Sequence, residues 1–333
     1  MHFKAICILL LLFQAALAQD TTPKDSVNNL VLPRGTMTCM LGSIPSFTMS
    51  GMGKQSMILI HGIGFDGSVF NDFPLSPLKR YRIYTVTIPG FGGTSSPPLP
   101  AAGTSYGEQV WSHGAVEGIR KLIQKENLSK PVLVGHFTMG VQLAMRFALL
   151  HPDLIGGVIL IGGPSKFISV QNGKAMEYSL DFRIKAIDGY MAPKFYKTIR
   201  KEVFDENNYL PDLYSNRKEL ARELWIQPTK VLLPVMIQYL CEFFASDLTG
   251  DFSKTSVPAL VIRPGFTREL LSQPDNPNVN YIRPQFIDGW DVLKGKNEHI
   301  TIQDIEQSGV FAWKDQPEKL NQMVIDFLKR LKR

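Results

Sequence analysis

The chain has 333 residues, 44% hydrophobic and 20% charged, with 36 Lys and Arg against 30 Asp and Glu for a formal net charge of +6. That length suits one large domain carrying an insertion. The basic excess collects in the terminal "FLKRLKR", where cations complement a helix C-terminus, and no other run combines clustered Lys or Arg with interleaved aromatics, so nucleic acid is not expected as a partner.

The first twenty residues, "MHFKAICILLLLFQAALAQD", carry a basic start at Lys4, an apolar run, and Ala16-Leu17-Ala18 as an A-x-A cleavage site. That layout predicts a signal peptide over residues 1–18 and a secreted or periplasmic protein beginning near Gln19. The run is too short to span a bilayer, and no later segment approaches the ~18 apolar residues a spanning helix needs. A polar leader covers residues 19–35. Cys39 and Cys241 remain after cleavage. Their spacing leaves both a disulfide and two free thiols open, with free thiols expected. Asn127-Leu128-Ser129 has the form of a glycosylation acceptor.

From residue 36, strand and helix signals alternate. "SMILIHG" and "YRIYTVTIPG" read as strands. "GEQVWSHGAVEGIRKLIQKEN" follows, with Trp111, Ala115, Ile119 and Ile123 on one helical stripe. Then come "PVLVG" as strand, "MGVQLAMRFALLHP" as helix and "GGVILIGG" as strand. This alternation predicts an α/β fold with a mostly parallel central sheet covered by helices on both faces. The rhythm breaks over residues 165–255, where helical segments such as "KFYKTIRKEVF" and "PVMIQYLCEFFASDL" predict an inserted helical cap. The core is then expected in two parts, 36–164 and 256–333. The second part holds the strands "VPALVIRPG" and "HITIQDI", with a long polar stretch at 272–298 between them. A final helix is predicted to start with Asp315 and Glu318 as a capping box, Pro317 in its first turn. Its apolar stripe would be Leu320, Met323, Val324, Phe327, Leu328 and Leu331.

The ordered set "LIHGIG", "IPGFGG", "VGHFTMG", "HPDLIGGVILIGG" and "GVFAWKDQPEKLNQMVIDFL" resembles the α/β-hydrolase fold, in its exported bacterial form, over residues 36–332. The resemblance implies a G-x-S-x-G elbow that lifts a nucleophile above the sheet, with backbone N–H groups binding the oxyanion. Counting from Gly135, the nucleophile place falls on Phe137, which can neither attack nor accept a proton. Counting from the helix side, Thr138 takes the place. Threonine serves as a nucleophile elsewhere when a base activates it. Here, however, a β-branched residue would have to adopt a strained turn. The turn is one residue longer than the family pattern, since Met139 stands where the second glycine is expected and Gly140 follows.

The resemblance places the histidine within Gly309-Val310-Phe311, where the matching residue is Val310. Without an imidazole a hydroxyl stays protonated near neutral pH. Of the other histidines, His299, just before the last strand, is the loose candidate for a displaced base. Glu269 is the candidate acid in the loop after "VPALVIRPG", with Asp275 further along. His61, Gly62, Ile63, Gly64 and Thr138 are expected to frame the oxyanion loop and pocket. No His, Asp and Glu cluster has metal-ligand spacing, "PGFGG" lacks the ending of a nucleotide loop, and no cofactor is expected.

Three readings follow. The leading one is an exported α/β-hydrolase-fold protein descended from a serine esterase, without a working triad, that binds a small, mostly apolar molecule between cap and sheet. The second is an active ester hydrolase using Thr138. The third is a structural or interaction protein whose old pocket is filled by Phe137 and its neighbours. Fold alone does not choose among them.

Overall fold

The computed structural model describes residues 36–331, apart from 75–79, 172–173, 194–200, 203–209 and 274–275. The expected signal peptide and leader (1–35), Asp275 and most of "KFYKTIRKEVF" lie outside the described residues.

The chain begins with β1 (Ser46–Ser50), β2 (Gln55–Ile60) and β3 (Tyr81–Thr87), then α1 (Val110–Lys125) and β4 (Val132–His136). Next come α2 (Phe137–Leu150), β5 (Gly157–Ile161), β6 (Ser169–Gln171) and β7 (Lys174–Met176). After these stand α3 (Leu180–Ala186), α4 (Lys218–Ile226), α5 (Leu233–Phe244) and β8 (Ala259–Pro264). The chain closes with α6 (Pro277–Phe286), β9 (Ile300–Ile305) and α7 (Pro317–Arg330).

Seven strands form one sheet in the order β1-β3-β2-β4-β5-β8-β9. All neighbours are parallel except β1 and β3. The central strands read as unbroken apolar runs because both faces are covered. Met57, Ile58, Leu59 and Ile60 on β2, and Leu133 and Val134 on β4, are fully buried. Helix α1 buries Trp111, Ala115, Ile119 and Ile123, and α7 buries Leu320, Val324, Phe327 and Leu328.

Between β5 and β8 the chain leaves this sheet. Residues 165–255 contribute the separate hairpin β6–β7 and helices α3, α4 and α5, and a bridge between Lys166 and Asp247 ties the two ends of the excursion together. The excursion is fastened to the core by charge. Helix α1 starts from Gln109 in a left-handed conformation with no side-chain cap of its own. Glu242 of α5 supplies the missing acceptor. It takes the N–H groups of Trp111 and Ser112 at 2.8 Å each and the Ser112 hydroxyl at 2.6 Å. Burial nevertheless pushes the Glu242 carboxyl above the usual range, with these hydrogen bonds pulling it down.

The structure departs from the sequence reading in three places. Edge strand β1 and hairpin β6–β7 carry weak periodic signals and form through pairing. Helix α6 occurs inside the polar stretch 272–298, capped by Asn276 and anchored by the buried Ile282 and Phe286. The capping box of α7 does not form. Gln316 is its N-cap without a side-chain bond, because the Asp315 carboxylate is engaged elsewhere, by the Ser215 hydroxyl at 2.5 Å and the Gly309 N–H at 2.9 Å. In keeping with the sequence reading, Cys39 and Cys241 are both free thiols, half-buried and buried respectively.

Candidate active site

The elbow joins β4 to α2 at the carboxyl end of the central strands. Two glycines let the turn pass. A side chain on Gly135 would strike the carbonyl of Gly140, and one on Gly140 would strike the carbonyls of Ile60 and His61. Gly140 therefore provides the close approach to β2 that Met139, one residue earlier, could not. The backbone also decides which residue stands at the apex. Phe137 follows the last residue of β4 with a left-handed φ of 48°, an uncommon conformation for a side chain of this size. Thr138 comes next, with non-helical angles of 4° and −86°.

Phe137 is 6% exposed and enclosed by rings. It stacks on Phe286 of α6 at 6.1 Å and 11°, and it meets Phe65 at 6.3 Å and Tyr214 at 6.2 Å. Behind it, His136 lies 4.6 Å from both Phe311 and Trp313. Loop 307–315 and segment 213–217 close over this cluster together. Val310 is fully buried; its N–H donates to the Leu213 carbonyl at 2.9 Å, and its carbonyl accepts from His136 Nε2 at 3.2 Å. Phe311 N–H donates to the Tyr214 carbonyl at 3.3 Å. Asp315 clamps the same two segments through Ser215 and Gly309.

His136 Nδ1 is buried without a partner among the described residues. Burial holds the ring far below the ordinary histidine range; the bond to Val310 opposes this, while His61 and Lys314 add to it. His61 is the brace of the oxyanion loop. Its Nε2 accepts from Ile88 N–H at 2.9 Å and its Nδ1–H donates to Gly62 O at 2.8 Å, which selects one neutral tautomer. Burial lowers it to about 4. Neither imidazole bonds to Thr138. In the oxyanion loop Ile63 is buried, and Gly64, with φ of 84°, lies under the turn 227–232: a Cβ on Gly64 would stand 2.8 Å from Pro228.

The remaining sequence candidates do not join this site. His299 precedes β9 and accepts from Ala259 N–H at the start of β8, at the end of the strands opposite the elbow. A six-residue strand puts that end roughly 20 Å away. His299 is thus no base for Thr138. Glu269 sits exposed on the short turn Arg268–Leu271; its carbonyl binds Ser272 and Gln273, and its carboxylate binds nothing among the described residues. Among the described residues no group of three or more His, Cys, Asp or Glu could hold a metal. Sequence reading missed the aromatic partners Phe65, Tyr214, Phe286 and Trp313, because each comes from a different element. The aromatic-rich "GVFAW" was the one local signal.

The model of the alpha/beta hydrolase family matches residues 57–322, from the second strand into the last helix. The chain belongs to the alpha/beta hydrolase family. Among curated relatives of this family member is a 2-hydroxy-6-oxononadienedioate/2-hydroxy-6-oxononatrienedioate hydrolase of Dechloromonas aromatica, 24% identical, covering 84% of this chain and 88% of that one. A 1-acylglycerol-3-phosphate O-acyltransferase of Arabidopsis thaliana is 30% identical over 39% of this chain, and the match spans only 30% of the relative's length. Solved structures share the hydrolase fold. An esterase from Thermogutta terrifontis superposes with a TM-score of 0.62 at 16% identity, covering 86% of this chain and 93% of that one. A hydrolase from Oleispira antarctica gives 0.64 at 14% identity, covering 88% and 99%.

Proposed function

We propose that this family member is noncatalytic: a hydrolase scaffold whose nucleophile and histidine places are taken by Phe137 and Val310, and which acts by binding. The observation that carries the reading is Phe137 at the elbow apex, in left-handed backbone and stacked on Phe286. A triad needs a nucleophile, a base in hydrogen-bond reach, and a group that orients the base. Phenyl and isopropyl groups supply neither of the first two. Thr138 has a hydroxyl, but neither nearby histidine bonds to it: His61 is held by Ile88 and Gly62, and His136 by Val310 through Nε2. The activities named for the relatives, ester and dienedioate hydrolysis among them, would require that chemistry. In this reading residues 165–255 are a cap held shut over an aromatic core, and residues 1–18 direct the protein out of the cytoplasm.

Binding then belongs to a different place from the elbow. A cleft of about 580 Å³ lies between the oxyanion loop, the "PGFGG" loop and the turn 227–232, and none of Phe137, Thr138 and Val310 lines it. Its volume suits a small molecule. Its walls mix polar and apolar groups, so the mostly apolar ligand expected from the sequence suits it poorly.

The test is activity-based labelling of the full chain with a fluorophosphonate, beside turnover of an ester, amide and lactone panel, in the native protein, Thr138→Ala and His299→Ala. No covalent adduct and no turnover above background are expected. Turnover that disappears in Thr138→Ala would establish a displaced nucleophile and overturn the reading.

A further inference from the structure

The cleft beside the oxyanion loop carries its own chemistry. Its core-side wall is bare backbone: Gly64, Gly90, Gly92 and Gly93 all have left-handed φ, at 84°, 94°, 56° and 76°. Three of these glycines are packed, against Pro228, Val235 and Asp66, whereas a Cβ on Gly93 would meet nothing within 4 Å. Gly93 therefore borders the cleft with open space on its Cβ side.

Two opposite charges border the same space. Asp66 is half-buried beside Gly92; Oδ1 accepts from Ser68 N–H at 2.8 Å, and Oδ2 takes no hydrogen bond among the described residues. Lys230 stands at the rim on the turn 227–232 and has no ion pair among the described residues. The two are not joined to each other. Val231 and Leu232 add an apolar flank beside Lys230.

We infer that this cleft binds a small zwitterion, with its ammonium on Asp66, its carboxylate on Lys230 and a short aliphatic body against Val231 and Leu232. The reasoning is by exclusion on energy. A wholly apolar occupant would strip water from Asp66 and leave its free oxygen unpaired, which costs on the order of 1–3 kcal/mol or more for a charged group. A simple anion would meet Asp66, and a simple amine would meet Lys230. Only a molecule bearing both signs pairs with both groups, and charge-assisted hydrogen bonds are the strong ones. The inference rests on the binding reading above and names the ligand class for it.

The experiment is isothermal titration calorimetry on the full chain with three probes of one shape: L-leucine, leucinamide without the carboxylate, and 4-methylpentanoate without the amine. L-leucine is expected to bind, and each truncated probe to bind about tenfold more weakly, the loss of one charge-assisted bond. Asp66→Asn keeps the N-cap of the turn Gly67–Phe70, since asparagine caps as well as aspartate, so folding is preserved. In that variant L-leucine and 4-methylpentanoate should bind alike. In Lys230→Met, L-leucine and leucinamide should bind alike. The inference is overturned if L-leucine shows no saturable heat, or if neither variant changes the ranking of the probes. Fluorophosphonate labelling of the same preparation separates the two ideas. A labelled protein that binds L-leucine sinks the noncatalytic reading alone; an unlabelled protein that ignores it sinks the ligand assignment alone.

Discussion

Replacing Phe137 by alanine measures how far the elbow has become core. The ring is 6% exposed and touches Phe65, Tyr214 and Phe286. Burying a phenyl side chain removes roughly 150–250 Å² from water, which at about 25 cal/mol/Å² is ~4–6 kcal/mol. A compact denatured chain lowers that figure, and large-to-small changes in cores cost about 3–5 kcal/mol. Alanine brings no backbone relief, because it also has a Cβ at φ of 48°. Glycine does, and should recover about 1 kcal/mol. The expected losses are therefore ~4 kcal/mol for Phe137→Ala and ~3 kcal/mol for Phe137→Gly. At about 2–4 °C per kcal/mol for a protein of this class, the alanine variant should melt roughly 10 °C below the native protein. Urea denaturation followed by tryptophan fluorescence, paired with calorimetry, gives both numbers. A loss under about 1 kcal/mol, or a glycine variant less stable than the alanine one, would refute the filled-elbow account.

Acid should weaken the fold. His61 titrates at about 4 in the folded chain against 6.5 ordinarily, so the unfolded chain takes the proton first and stability falls as pH drops from about 6.5 to about 4. That window removes about 3 kcal/mol for His61, with His136 acting in the same direction; denaturant midpoints across pH 4–7 check it, and His61→Asn should flatten the curve. Glu242→Ala leaves the Trp111 and Ser112 amides buried without their acceptor, at a cost of about 3 kcal/mol. Glu242→Gln should lose less, and hydrogen exchange at those two amides reports both. Gly64→Ala combines a left-handed φ with a contact 2.8 Å from Pro228. It should cost about 2–3 kcal/mol and expose the turn 227–232 to protease.

The sequence by itself determined the sheet. Runs such as "SMILI", "PVLVG" and "GVILI" are apolar at every position, and only a strand covered on both faces places all of them in the core. The order of "HGIG", "PGFGG" and "GH" turns then orders the loops at the carboxyl ends of the strands, and with it the family. Phe137 after the "GH" turn and Val310 in "GVF" were also visible as letters, since each is a single residue in a fixed local frame. What those letters amount to was decided only by tertiary structure. Phe137 is a plugged elbow because Phe65, Tyr214 and Phe286 arrive from three distant elements, and ring stacking has no sequence period. Asp315 reads as a helix cap, yet Ser215, a hundred residues earlier, captures it. His299 looked free to reach the elbow until β9 put it at the opposite end of the strands. The chain's periodicity reports which face of each element is buried; it carries no record of which elements meet across that face. Contacts made over long separations depend on the whole packing, and they alone determine what surrounds the elbow.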